Sequence, residues 1–164
     1  MRPIPANQLH PRVKIVWRIT HVMLWVLLCG LMVVTSLISV GLVGYVNPAL
    51  KIVFLCECIV ACVFGIVYVL VWPQISYLRW RYELGEHELD IARGIIWRKR
   101  FIIPFVRVQN TDTNQGPLMR LFGLASVTVS TAAGEHVIPG LSIQEADCLR
   151  DLIATQARLA QEDV

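Results

Sequence analysis

Glu57 poses the sharpest chemical question in this sequence. It stands in the run IVFLCECIVACVFGIVYVLVW, from Ile52 to Trp72, where every other residue is apolar, aromatic, small or a cysteine. A charged side chain at the centre of a membrane helix costs roughly 2.5–3.5 kcal/mol on insertion scales, and each Leu, Ile, Val or Phe offsets about 0.3–0.6. The run is rich enough in those residues to enter a bilayer with its carboxyl group. Ser39 lies at a similar depth in an earlier apolar run, and Ser36 one helical turn before it. Three roles are open for Glu57: a structural hydrogen bond with Ser39 or Ser36, contact with a partner helix, or a proton or ion relay. A relay usually draws on several ionisable groups in series, and this run offers one.

Other reactive residues point to less. Cys56-Glu57-Cys58 has the look of a metal motif, but helical residues two apart point about 200° from each other, so the thiols diverge. Cys29 and Cys62 also lie in apolar runs, and Cys148 falls in a segment expected in the reducing cytoplasm, which argues against a disulfide framework. His10, His21, His87 and His136 have no Cys, Ser or carboxylate at the spacing of a triad or a metal site. There is no Gly-rich phosphate loop and no HExxH. These patterns predict no catalytic residues, no metal and no cofactor. The one dense basic cluster is Arg98-Lys99-Arg100, read either as a solvated hairpin end or as a contact with anionic lipid, with Arg79 and Arg81 beside it.

The elements that must position these groups begin with a membrane hairpin. VMLWVLLCGLMVVTSLISVGLVGYV precedes the connector NPALK and the run that holds Glu57. Each run can cross a hydrocarbon core of about 30 Å at about 1.5 Å per residue. Asn47-Pro48 is a turn signal, and so short a connector makes the helices antiparallel. Arg2, Arg12, Lys14 and Arg18 precede the first run and Arg79 and Arg81 follow the second, which predicts both termini in the cytoplasm. Trp17, Trp25, Tyr45, Trp72 and Tyr77 are placed as interfacial aromatics. At about 100° per residue, Arg18, His21, Trp25, Met32, Thr35, Ser36 and Ser39 share one side of the first helix. Glu57, Ala61, Gly65, Tyr68 and Trp72 share one side of the second, and these sides are expected to face each other. Residues 1–14 read as a flexible basic arm, 15–75 as the two-helix transmembrane hairpin, and 76–164 as one small cytoplasmic domain.

That division fits the composition: 55% hydrophobic residues with a mean hydropathy of +0.58 mark a membrane protein, and a net charge of +3 is too small to argue for nucleic acid. Pro73 should end or kink the second helix. Beyond it, strand-like stretches run over 81–84, 88–92, 95–103, 106–109, 127–130 and 137–138, separated by turns such as Gly85-Glu86-His87 and Ala133-Gly134. Ser142-Ile143-Gln144-Glu145 is a capping box, after which Ile143, Ala146, Leu149, Leu152, Ile153 and Ala157 make one apolar helix side. The layout is α+β: a small sheet or barrel capped by a C-terminal amphipathic helix.

The ordered run Pro104-Phe105-Val106-Arg107-Val108-Gln109-Asn110, then Gln115-Gly116-Pro117-Leu118, Arg120-Leu121-Phe122-Gly123-Leu124-Ala125 and Ile138-Pro139-Gly140-Leu141, resembles the YdbS-like bacterial pleckstrin-homology (PH) family. Members of that family similarly carry a membrane hairpin before the domain. The resemblance is strong from about Leu50 onward and covers the first helix in outline; it implies a PH-like barrel. Physically, Gly116-Pro117 sets a turn and Leu118 to Phe122 one helical turn closed by Gly123. Arg107, Gln109 and Asn110 would brace that turn, or form a binding surface with Gln115 and Arg120. Better-known PH domains that bind phosphoinositides carry a basic first loop, whereas Gly85-Glu86-His87-Glu88 is acidic.

The resulting expectation is a non-catalytic, membrane-anchored PH-like module of the bacterial cytoplasmic membrane that mediates protein–protein interaction. Its partners would be the lipid bilayer and another membrane protein, a member of the same family being one form of it. A homo-oligomer is allowed. Anionic-lipid sensing, or a transport accessory built on Glu57, are the alternatives.

Overall fold

The structure is a computed structural model that describes residues 3–43 and 48–162, with side chains described over 3–38 and 52–162. The Asn47-Pro48 turn, Tyr45 and the side chain of Ser39 therefore lie outside the described residues. The chain forms two compact units, residues 17–74 and residues 1–16 with 75–164.

The first unit is helical. α1 spans Val13–Val43 and α2 spans Pro48–Ile66; a π-helical turn over Val67–Val71 leads into α3, Trp72–Arg79. Pro73 was expected to end or kink the second helix; it does not end it, since helix continues to Arg79. The π turn supplies the reason. Proline lacks an amide hydrogen and its ring crowds the carbonyl four residues back. A wider turn, in which the Trp72 amide donates to the Val67 carbonyl, opens the backbone just ahead of it. Two candidate spans, Val13–Ile38 and Ile52–Arg79, are long and apolar enough to cross a membrane. The helices pair antiparallel along the faces the periodicity assigned. His21 meets Tyr68 edge to face at 4.4 Å, and Gly65 lies directly against the Trp25 indole. Trp25 is thus packed between the helices, where a residue larger than glycine at 65 would collide with it, and is no free interfacial anchor.

The second unit holds two three-stranded antiparallel sheets. β1 (Arg81–Leu84), β2 (Glu88–Arg93) and β3 (Lys99–Pro104) form one; β4 (Val108–Asn114), β5 (Leu124–Thr131) and β6 (Gly134–Ser142) form the other. The sheets do not close into one barrel. In the first, alternation sends Tyr82, Ile91 and Phe101, and then Leu84, Leu89 and Ile103, to the inner face. In the second, Val127 and Val129 are fully buried under α5 (Ile143–Glu162), whose Ala146, Leu149, Ile153 and Ala157 complete the core. The expected helix side holds except at its margin, where Ile143 and Leu152 are exposed.

The capping box forms as the sequence pattern requires. The Ser142 amide donates to Glu145 Oε2 at 2.9 Å and the Glu145 amide to Ser142 Oγ at 3.2 Å. These bonds to Ser142 hold the Glu145 carboxyl below its usual range. Between the sheets, Phe105–Arg107 is a 3-10 turn, so the fourth strand starts at Val108 and not at 106. α4 (Pro117–Leu121) is the expected single turn, stopped at Gly123 with φ +66°.

The basic arm differs from its expectation. It is no loose tail: Leu9 and Val13 are buried, and Val13 packs against Gly140 of β6. Asn7 and Tyr82 exchange backbone hydrogen bonds at 3.0 and 3.1 Å, extending the first sheet past β1, and the His10 amide donates to the Gly140 carbonyl at 2.9 Å. Three prolines remove donors without removing acceptors, so an extended segment dense in proline still docks along a sheet edge.

Candidate functional site

A basic groove forms where the arm, the end of α3 and the β2–β3 hairpin meet. Its walls are Ile4, Leu78, Arg79, Arg81, Ala92, Arg93, Gly94, Arg98, Lys99 and Arg100. Antiparallel register explains the gathering. Arg81, Ala92 and Arg100 are partners across the three strands, and Arg93 pairs with Lys99, so cations far apart in sequence share one end of the sheet.

The cations do not play one role. Arg100 grips Asp90 through Nε, 2.9 Å from each carboxylate oxygen, and through Nη2, which also donates to the Pro3 carbonyl at 2.9 Å. The hydrogen bonds that Arg100 donates to Asp90 raise the Arg100 pKa further above neutrality. Gln8, with its amide oxygen turned toward Arg81, accepts from both terminal guanidinium nitrogens at 3.1 and 2.6 Å. Arg93 lies 5.1 Å from the centre of the Phe101 ring, and the His136 ring packs against it at 4.8 Å, tilted by 55°. Burial, helped by the Arg93 charge, pushes the His136 pKa down. Among the described residues no carboxylate pairs with Arg79, Arg98 or Lys99.

The second polar site is in the helical unit. Ser36 Oγ donates to Glu57 Oε2 at 3.4 Å, at the wall of an open groove lined by Trp25, Cys29, Met32, Phe54, Cys58 and Ala61. Among the described residues no group of His, Cys, Asp or Glu converges as metal ligands would.

Comparison with known proteins places this architecture. The model of the bacterial PH domain family matches residues 15–157. The chain belongs to the bacterial PH domain family. This bacterial PH domain protein is 40% identical to the UPF0699 transmembrane protein YdbS of Bacillus subtilis (strain 168) over the full length of both chains. It is 27% identical to the UPF0699 transmembrane protein YdbT of the same organism over 85 residues, 48% of this chain and 17% of that protein. No solved structure matches the chain.

Within the bacterial PH domain, the expected lipid contacts Arg79, Arg81, Arg98, Lys99 and Arg100 do line one groove, but Arg100 serves an internal ion pair. The residues of the other expected surface differ in their bonding. Gln115 Nε2 donates to the Leu124 carbonyl at 2.8 Å and so braces the α4 turn. Asn110 bonds Asp112 at 2.8 Å along β4, while Arg107 and Gln109 are exposed, as is Arg120 on α4 itself. A register shift between Val108 and Asn110 sets Gln109 out of the ladder.

Sequence reasoning missed Ile4, Arg93 and Trp97. The stretch from Ile95 was expected to be strand, but β3 starts at Lys99. Gly94, at φ +111°, turns the chain so tightly that the Trp97 carbonyl sits against its Cα, leaving Ile96 and Trp97 at the tip, 76% and 81% exposed. Two large apolar residues beside a glycine turn and a basic run were the available signal.

Proposed function

We propose that this chain is a non-catalytic, membrane-anchored subunit that engages another membrane protein in the bacterial cytoplasmic membrane, with both termini in the cytoplasm. The observation that carries the reading is the open groove between α1 and α2 with Glu57 on its wall. A carboxyl group offers several acceptor sites, and Ser36 supplies one donor at a long 3.4 Å. Lipid tails offer none, so a helix bringing a further donor into the groove gains a hydrogen bond that the bilayer cannot provide. The groove's remaining lining is soft and apolar, as a packing surface for a helix should be. Its occupant is a span of another membrane protein, a family member being one form, and Arg107, Gln109, Asn110 and Arg120 offer the cytoplasmic unit's contact. The distribution of Arg and Lys around the spans supports the orientation.

A photo-crosslinking residue at Phe54 or Ala61 in the full chain, in native membranes, tests this. Both positions should give one discrete protein adduct, and Val63, exposed and off the groove, should not. Lipid adducts alone at all three positions would rule the reading out.

A further inference from the structure

We infer that the tip of the β2–β3 hairpin and the basic groove behind it dock on anionic phospholipid headgroups of the bilayer that the chain's own spans cross. This adds a lipid site to the protein-interaction reading and does not depend on it.

Charge is the first argument. Six cations, Arg79, Arg81, Arg93, Arg98, Lys99 and Arg100, line the groove, and among the described residues the ion pair formed there is that of Arg100 with Asp90. The opposite end of the same sheet is acidic, with Glu83 on β1 and Glu86 and Glu88 around the β1–β2 turn. A sheet polarised in this way turns its basic end toward a negatively charged surface. The site is therefore at the far end from the turn in which better-known PH domains hold phosphoinositides.

Apolar anatomy is the second. Ile96 and Trp97 project at the hairpin tip, and Ile4, 79% exposed, lies on the groove wall. In water such a cluster is a cost, but at a bilayer surface Trp favours the headgroup level, and apolar neighbours enter just below it. Arg98 and Lys99 follow Trp97 directly, so anchor and cations act on the same few headgroups.

Chain continuity is the third. Leu78 and Arg79 are the last residues of the second candidate span and also line this groove. The groove accordingly begins where that span leaves the hydrocarbon, within reach of the headgroups.

The test uses the full chain in nanodiscs of phosphatidylcholine alone or mixed with phosphatidylglycerol, with hydrogen exchange read over residues 94–99. Exchange should be about thirtyfold slower with the anionic lipid, as gaining two surface cation contacts, Arg98 and Lys99, implies. The difference should vanish at about 1 M salt, where screening shortens to about 3 Å. It should also vanish in an Arg98→Gln/Lys99→Gln variant and shrink in Trp97→Ala. Exchange over β5 and β6 reports whether the variants are folded; if they are not, the lipid and salt comparison on the unaltered chain decides. Equal exchange in both lipids, whether fast or slow, would overturn the proposal. No partner protein is present, so the result stands apart from the crosslinking outcome.

Discussion

Arg100 and Asp90 form a bidentate pair that also clasps the N-terminal arm, because Arg100 Nη2 bonds the Pro3 carbonyl 97 residues earlier. The strongest basic run in the sequence is thereby split: Arg100 fastens structure, while Arg98 and Lys99 face outward. Asp90 is on the outer side of β2 yet buried, with the Arg100 guanidinium against its carboxylate.

Arg100→Gln should therefore lower the Tm of the detergent-solubilised chain and speed hydrogen exchange over residues 3–8, while Arg98→Gln changes neither. The Asp90→Asn/Arg100→Gln double variant should lose less than the sum of the single losses, because each single change strands the other charge. Equal Tm values for Arg100→Gln and Arg98→Gln would refute the clasp.

The docking of the arm has a second fastening at Gly140. At φ +64° its Cα has the Val13 side chain packed against it, so a Cβ there would overlap Val13. Gly123 has nearly the same φ, +66°, with open space around it. Gly123→Ala should cost only the left-handed backbone penalty of about 1–2 kcal/mol. Gly140→Ala should cost about 1–3 kcal/mol more, through overpacking. Adding Val13→Ala to Gly140→Ala should recover part of that excess, and thermal unfolding of the three variants measures it. Equal losses at the two glycines would mean that Val13 yields freely.

What could be read from the sequence was governed by local rules. Ser142 and Glu145 are three residues apart, and the bond between them follows from that spacing alone. Pro117 and Gly123 bracket α4 for the same reason, and the helix faces carrying His21, Trp25, Ser36 and Glu57, Gly65, Tyr68 follow from the 3.6-residue period. The arm was not legible, since nothing near Leu9 announces that sheet residues more than seventy positions later will bury it. Arg93 joins the groove through its pairing with Lys99, a consequence of hairpin register, and register depended on a loop whose length the apolar residues Ile95 to Trp97 disguised as strand. Pro73 does not end the helix, because the turn before it is π-helical and not α-helical. The basic groove was thus visible as residue types, and its division into fastening and outward-facing cations required the pairing.

Glu57 separates an assembly role from a relay. Its Oε2 accepts from Ser36, and a glutamine oxygen can accept the same bond at the same place. Glu57→Gln should therefore keep the yield of the protein adduct formed from Ala61 and complement a deletion strain at matched membrane levels. Glu57→Leu removes both the Ser36 bond and any bond from the partner helix. Membrane hydrogen bonds are worth about 1–2 kcal/mol, so adduct yield should correspond to association roughly five- to thirtyfold weaker, with the chain still inserted. A relay makes a different demand: glutamine exchanges no proton, so Gln would fail as completely as Leu in complementation while the adduct persisted with Gln. The contrast between the two substitutions decides the matter, because they differ in hydrogen bonding but share the loss of a titratable proton. Loss of complementation in Gln as severe as in Leu, with the adduct intact, would replace the assembly reading with a relay.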